Sequence, residues 1–352
     1  MDPRAQQILN EIYANALKVF NDSESRFSWY FIIASYAAAF AYYYVAKKKH
    51  GHSFYKDALS PENFFSSSAW VDLAVFALSG LAFIHLFTGV NPDGVYEWGR
   101  QSFVFTYEGV FPHASEYLLV QITWPLLRMV AGDFGYYLYH RVMHYFNSLW
   151  FFHAAHHSAR NLNFLTAYRM HPVDAFVSNL ILGIVGGIWA MITIFLFGKN
   201  FITLYIYGFV YYMPLRAVIA NLRHSNVFMT FPGWLGKFFN SPAHHQMHHS
   251  KQPEFSHINY SNDFAFIDGM FGTLYVPSEK DHKKLIIGIN EEEHGLDGGS
   301  FLSFLLAPFR NLFNYWKMKI LSKNLPVWKR VLPKRLFEKE YEYTETEVRK
   351  IS

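Results

Sequence analysis

Histidine is the residue whose spacing in this chain could do chemistry. Three clusters stand out: His140 and His144 in HRVMH, His153, His156 and His157 in HAAHH, and His244, His245, His248 and His249 in HHQMHH. On a helix, positions i and i+4 lie about 40° apart, and i, i+3, i+4 span about 100°. Each cluster can therefore direct two or three imidazoles at one centre. In the third, His245, His248 and His249 repeat the HxxHH spacing of the second, and His244 sits one step outside. We take His245 as the ligand and keep His244 as its substitute. With His244 set aside, the clusters supply eight imidazoles, more than the four of one tetrahedral site and enough for two metals. A lone histidine of this kind is ordinarily a hydrogen-bonding residue. So many together without metal would leave unpaired polar groups in a crowded, partly apolar place. Imidazole accepts zinc, copper, iron or nickel, so the spacing does not choose the metal.

The elements that must position these clusters are membrane helices. Hydrophobic residues make up 51% of the 352, and charged residues 16%, against about 25% charged in soluble domains. Five apolar segments approach the length needed to cross about 30 Å of hydrocarbon. They run roughly over Trp29–Ala46, Trp70–Val90, Tyr117–Leu138, Phe176–Phe197 and Phe201–Ala220. The third contains Arg128 and Asp133, which should face protein or water. The first 27 residues carry no apolar core of the signal-peptide kind. Lys47, Lys48, Lys49, Lys56, Arg141, Arg160 and Arg169 lie in loops of one side. The positive-inside rule makes that side cytoplasmic and puts all three clusters there. The expected fold is an all-α membrane protein. About four to five transmembrane helices carry a cytoplasmic helical cap that holds a histidine-rich dimetal site.

Three regions are expected: 1–115 with the tail and first two spans, 116–277 with the histidine clusters and spans three to five, and 278–352. In the last, Phe301–Leu321 is apolar but holds Pro308, Arg310, Lys317 and Lys319, and reads as an amphipathic interfacial helix. The chain has no cysteine, which excludes iron–sulfur clusters, zinc–thiolate sites and thiolate-ligated haem. A net charge of +4 without a basic stripe gives no sign of nucleic-acid binding.

The clusters resemble the histidine boxes of the fatty acid hydroxylase / sterol desaturase superfamily of membrane di-iron oxygenases. The order HxxxH, HxxHH, HxxHH matches at His140–His144, His153–His157 and His245–His249. Asp133-Phe134 before the first box, His224-Ser-Asn-Val, Met170-His171-Pro172-Val-Asp174, Asn259-Tyr260 and Asp268-Gly-Met-Phe-Gly272-Thr273 are further points of similarity. The resemblance covers about residues 120–277. It implies that His224 and His171 complete the ligand set, although a histidine before Pro172 also reads as a helix-start residue. Where some relatives have a second histidine after the equivalent of His224, this chain has Phe228. Asp133, two turns before His140, is expected to orient a ligating imidazole. Asp174 and Asp268 can act likewise or cap helices.

The resemblance further implies two iron ions, although a purified protein could carry zinc. It implies a membrane lipid as substrate and a separate electron-donor protein. The reaction is O2-dependent oxidation of a C–H bond, which needs chemistry that ordinary side chains lack. Hydroxylation is the first expectation and desaturation the second. The alkylglycerol monooxygenase branch is similar in the His224 and closing segments and implies a reduced pterin. A histidine-rich metal or haem transporter is the rival from another class. It would distribute its polar residues through the spans, whereas these cluster after span ends. A zinc hydrolase would need a general base such as the Glu of HExxH, and the chain has no such motif.

Overall fold

The structure is a computed structural model that describes residues 28–45, 53–78, 109–198 and 216–323. Its described residues are helical, without a strand; one isolated bridge joins Ser250 and Ile287. The elements used below are α1 (Trp29–Val45), α2 (Ser67–Leu78), α3 (Leu118–Tyr145), α4 (Asn147–His157), α5 (Pro172–Phe197), α6 (Pro242–His248), α7 (Ala265–Phe271) and α8 (Phe301–Lys323). A further helical stretch covers 216–223.

The frame is an antiparallel pair, α3 and α5. At one end the Trp124 ring packs, tilted, with its centroid 4.6 Å from that of Trp189, and its indole N–H donates to Thr193 Oγ1 at 3.1 Å. At the other end the Tyr139 hydroxyl donates to Asp174. Midway, Gly135 permits the close approach. A Cβ there would stand 3.2 Å from the Val185 side chain, tighter than packed side chains tolerate. α5 begins as its sequence dictates. Pro172 occupies the first turn, where a missing N–H costs nothing, and the His171 ring accepts a hydrogen bond from the Val173 amide. Gly198 closes it at φ +80°.

A single extended residue, Phe146, separates α3 from α4. The chain therefore folds back at once, and the second histidine box lands against the first. Tyr139 and Met143 of α3 and Phe152 of α4 are fully buried and pack with Val173, Val177 and Ile181 of α5 and Leu312 of α8. Each such buried side chain contributes about 1.5–3 kcal/mol. α2 and α8 close the far side of α4 through Val71, Val75, Ala155, Phe304 and Ala307.

Of the five expected spans, the fourth is α5. Among the described residues it alone is long and apolar enough to cross a membrane. The first corresponds to α1, at 17 residues, and the second begins as α2, at 12 residues. The third is longer than expected, because α3 runs on unbroken through the first histidine box to Tyr145, although Pro125, Arg128 and Asp133 lie within it. The rest of the second, and residues 201–215 of the fifth, lie outside the described residues.

Candidate metal centre

The fold gathers histidines from four separate stretches into one buried cluster. His140 and His144 lie one turn apart on α3, and His153, His156 and His157 on α4. His245 and His248 lie on α6, with His249 at its C-cap, and His224 follows the 216–223 helix. None exceeds 8% exposure.

The cluster is two groups rather than one. His140, His144, His153, His157 and His248 form the first; His156, His224, His245 and His249 form the second. Within each, one ring nitrogen per residue lies within 4.8 Å of all the others. This corrects the expectation that each box serves one centre. In the second box the i,i+4 pair His153/His157 joins the first group, and the middle His156 turns to the second. In the third box the pair His245/His249 joins the second group, and the middle His248 turns to the first. The 100° spread of HxxHH is what divides the boxes between two centres.

In the first group three Nδ1 atoms face outward to fixed acceptors. His140 Nδ1–H donates to the Tyr260 carbonyl at 2.8 Å, His248 Nδ1–H to the Ile258 carbonyl at 2.7 Å, and His153 Nδ1–H to Asp174 Oδ2 at 2.9 Å. Such bonds fix the tautomer and leave Nε2 as a lone pair. The Nε2 atoms of all five rings are buried and make no hydrogen bond within the structure. Five converging, unpartnered ring nitrogens would be costly in a protein interior. A cation at their centre removes that cost.

In the second group the Nε2 atoms face one another. His224 and His245 are 3.0 Å apart, His245 and His249 3.1 Å, and His156 and His224 3.4 Å. Four nitrogens 2.0–2.1 Å from a tetrahedral ion would stand about 3.3 Å apart, so the spacing fits a metal. His156 Nδ1–H donates to the Arg169 carbonyl at 3.1 Å.

Electrostatics keep these rings ready as ligands. Burial lowers the pKa of His156 and His248 to about 3. It also pushes His157, His245 and His249 well below the ordinary range, with neighbouring imidazoles adding to the effect. They are therefore neutral at pH 7, as a metal ligand must be.

The remaining expected site residues fall elsewhere. His171 joins neither group. Its Nε2–H donates to the Leu305 carbonyl at 3.2 Å, and its Nδ1 accepts from Val173 N. Nδ1 serves the start of α5, the structural alternative for this residue, and Nε2 ties that start to α8. His244 is likewise occupied. Its Nδ1 accepts from the Ser241 backbone N–H at 3.1 Å, and its Nε2–H donates to the Gly236 carbonyl at 3.0 Å. The expectation for Asp133 is corrected. Its carboxylate accepts the amides of Asn262, Asp263 and Phe264 at 2.7–3.0 Å, so it holds a loop rather than a ring. Asp174 does reach an imidazole, that of His153.

Asp268 also holds the loop, accepting the amides of Tyr260 and Ser261 at 2.8 and 2.9 Å and the Thr273 hydroxyl at 2.7 Å. Asn259 adopts φ +55°, a conformation asparagine tolerates. Its side chain bonds the His244 carbonyl and the Tyr275 amide. The closing segment thus aims the Ile258 and Tyr260 carbonyls at His248 and His140.

Three positioning residues carried no signal in the box spacing. Tyr260 packs its ring 5.2–5.6 Å from His140, His144 and His248. Trp150 stands 4.8 Å from His144 and 5.4 Å from His157. Arg169 is fully buried. It ion-pairs with Asp72 at 2.9 Å and donates to the carbonyls of Ala155 and Gly298 at 3.0 and 2.6 Å. It therefore ties the carbonyl that orients His156 to α2, α4 and the segment before α8.

Comparison with known proteins agrees with this arrangement. The sequence model of the fatty acid hydroxylase family matches residues 125–273, the stretch that contains all nine clustered histidines. That match to residues 125–273 and the relatives below support the fatty acid hydroxylase / sterol desaturase superfamily. Among its relatives, the ornithine lipid hydroxylase of Rhizobium tropici is 31% identical over 196 residues, which cover 53% of this chain and 52% of that protein. The alkylglycerol monooxygenase of Xenopus tropicalis is 28% identical over 172 residues, covering 47% and 35%. A Delta(7)-sterol 5(6)-desaturase of Aspergillus fumigatus is 28% identical over 209 residues, covering 57% and 61%. The match thus spans about half of the first relative and about a third of the second. No solved structure matches the chain.

Proposed function

We propose that the protein is a membrane-bound oxidoreductase that hydroxylates a lipid, using O2, two iron ions and electrons from a separate donor protein. The observation that carries this reading is the pair of converging nitrogen groups, five and four imidazoles in number. An all-imidazole donor set accepts iron, and also zinc; the choice of iron rests on the family. When bound, such a pair supplies oxygen activation toward an unactivated C–H bond.

The chain's own residues do the rest. His140, His144, His153, His157 and His248 would hold one ion, and His156, His224, His245 and His249 the other. Asp174 and the carbonyls of Tyr260, Ile258 and Arg169 keep four of those rings in the right tautomer. The aromatic rings of Trp150 and Tyr260 wall the first group and limit water there.

The outward apolar residues of α5, among them Ile184, Ile188 and Phe195, support a membrane location. We read the protein as multi-pass, with its metal groups on the cytoplasmic face. Relatives named alkylglycerol monooxygenase in several animals support a second reading, a pterin-dependent ether-lipid hydroxylase. Relatives named sterol desaturase support a desaturase on the same site.

The test is comparative lipid mass spectrometry of cells with and without the protein. A lipid gaining one oxygen supports hydroxylation, and one losing two hydrogens supports desaturation. Dependence on added reduced pterin separates the ether-lipid reading. No lipid change from an iron-loaded protein, supplied with O2 and reductant, would overturn the enzyme readings.

A further inference from the structure

α8 carries two faces with different partners. Its inner face packs on α4, the helix of the second histidine box. Leu312 packs in the cluster of Phe152, Tyr315 meets Phe151 at 5.8 Å, and the Leu305 carbonyl accepts from His171 at the start of α5. Phe309 reaches between the two faces, 5.2 Å from Phe152 and half-exposed. Its outer face is an apolar stripe. Leu302, Leu306, Phe309, Phe313 and Trp316 are 45–68% exposed, at helical spacings of four, three, four and three. Beside the stripe runs a polar one, Arg310, Asn314 and Lys317, all exposed. Lys319 lies 4.7 Å over the Trp316 ring. Residues 301–323 contain no Asp or Glu.

We propose that this outer face of α8 lies on an anionic lipid surface and so sets the depth of the histidine groups relative to the bilayer. An apolar stripe flanked by lysine and arginine and ending in an aromatic is the composition of a helix lying in a membrane interface. The anionic leaflet attracts the cations while the stripe enters the acyl boundary. The same four-three spacing would also suit a seam with a second copy of the helix. The flanks argue against that. With cations and no carboxylate of α8 itself beside the stripe, a symmetric partner helix would bring like charges together. Because α8 is fixed to α4, its depth becomes the depth of His153, His156 and His157.

The absence of cysteine makes the test direct. The whole chain, bearing one spin label at Leu306→Cys, Phe313→Cys or Asn314→Cys, is reconstituted in phospholipid nanodiscs, neutral or anionic. Collisions with lipid-soluble oxygen and with a water-soluble nickel complex are compared. The expected result is an oxygen-to-nickel ratio that is higher at 306 and 313 than at 314, and higher in anionic discs than in neutral ones. Lys317→Glu with Lys319→Glu should remove the anionic preference. Labels at 306 and 313 that favour the nickel complex in anionic discs would overturn the proposal. So would labels shielded from both reagents, which would mean that protein covers the stripe. An anionic preference unchanged by the double charge reversal would overturn the electrostatic half.

Discussion

The two histidine groups differ in how they are held. The first has five rings, three with Nδ1 tied to a carboxylate or a backbone carbonyl, and its five Nε2 atoms are buried and without partners. The second has four rings whose Nε2 atoms already approach one another, and His156 is tethered outward by its bond to the Arg169 carbonyl. The first is thus pre-set by the protein around it. The geometry of the second depends more on what sits at its centre. One family of boxes has produced two centres with unequal support.

The largest expected effect comes from breaking the weaker group. His156→Ala removes one of its four nitrogens and its tether. Activity should fall by more than the roughly 100-fold ceiling for loss of an outer partner, while membrane insertion, read by carbonate extraction, is unchanged. Arg169→Met attacks the same tether from outside. It leaves Asp72 buried and unpaired, which costs about 3–5 kcal/mol. A lowered melting temperature, partly restored by adding Asp72→Leu, would check this.

Asp174→Asn sharpens the comparison from the other side. It weakens the orientation of His153 and should lower metal affinity of the first group about 10–100-fold, with the second group's ion retained. The measurement is competitive metal titration of each site.

A smaller effect concerns pH. The ligand rings have folded pKa values depressed to about 3 for His156 and His248. Below the ordinary histidine value of about 6.5 the unfolded chain binds more protons, so stability falls with pH. The metal-free protein should be most stable above about pH 6.5 and lose stability progressively toward about pH 3, as denaturation midpoints would record. The smallest effect belongs to His171→Ala. It should cost about 1 kcal/mol as a lost helix cap and leave the metal content unchanged. A lost ion would contradict its place outside both groups.

The boxes themselves were legible in the sequence, because HxxxH and HxxHH report the 3.6-residue repeat directly. Their crossing was not. Whether the middle imidazole of HxxHH shares its neighbours' centre depends on what stands beyond it, and that is a matter of tertiary packing. Asp133 shows the same limit. It lies two turns from His140 on a helical wheel, yet the loop 262–264 reaches it first with three amides. Arg169 shows it in reverse. Counted by sequence as a loop cation marking the cytoplasmic side, it is fully buried and paired with Asp72. A buried arginine and a loop arginine look alike until the partner ninety-seven positions away is in view. The α3/α5 frame was anticipated as two spans, but the Gly135 contact that brings them together was not, since a glycine within a helix carries no record of what approaches it.

The central claim is that nine histidines form two metal centres, and metal stoichiometry tests it most directly. The protein would be purified anaerobically and its iron counted per chain, alongside His144→Ala for the first group and His249→Ala for the second. The account predicts two ions in the unaltered protein and close to one in each variant. A single ion per chain in the unaltered protein, or none, would contradict it.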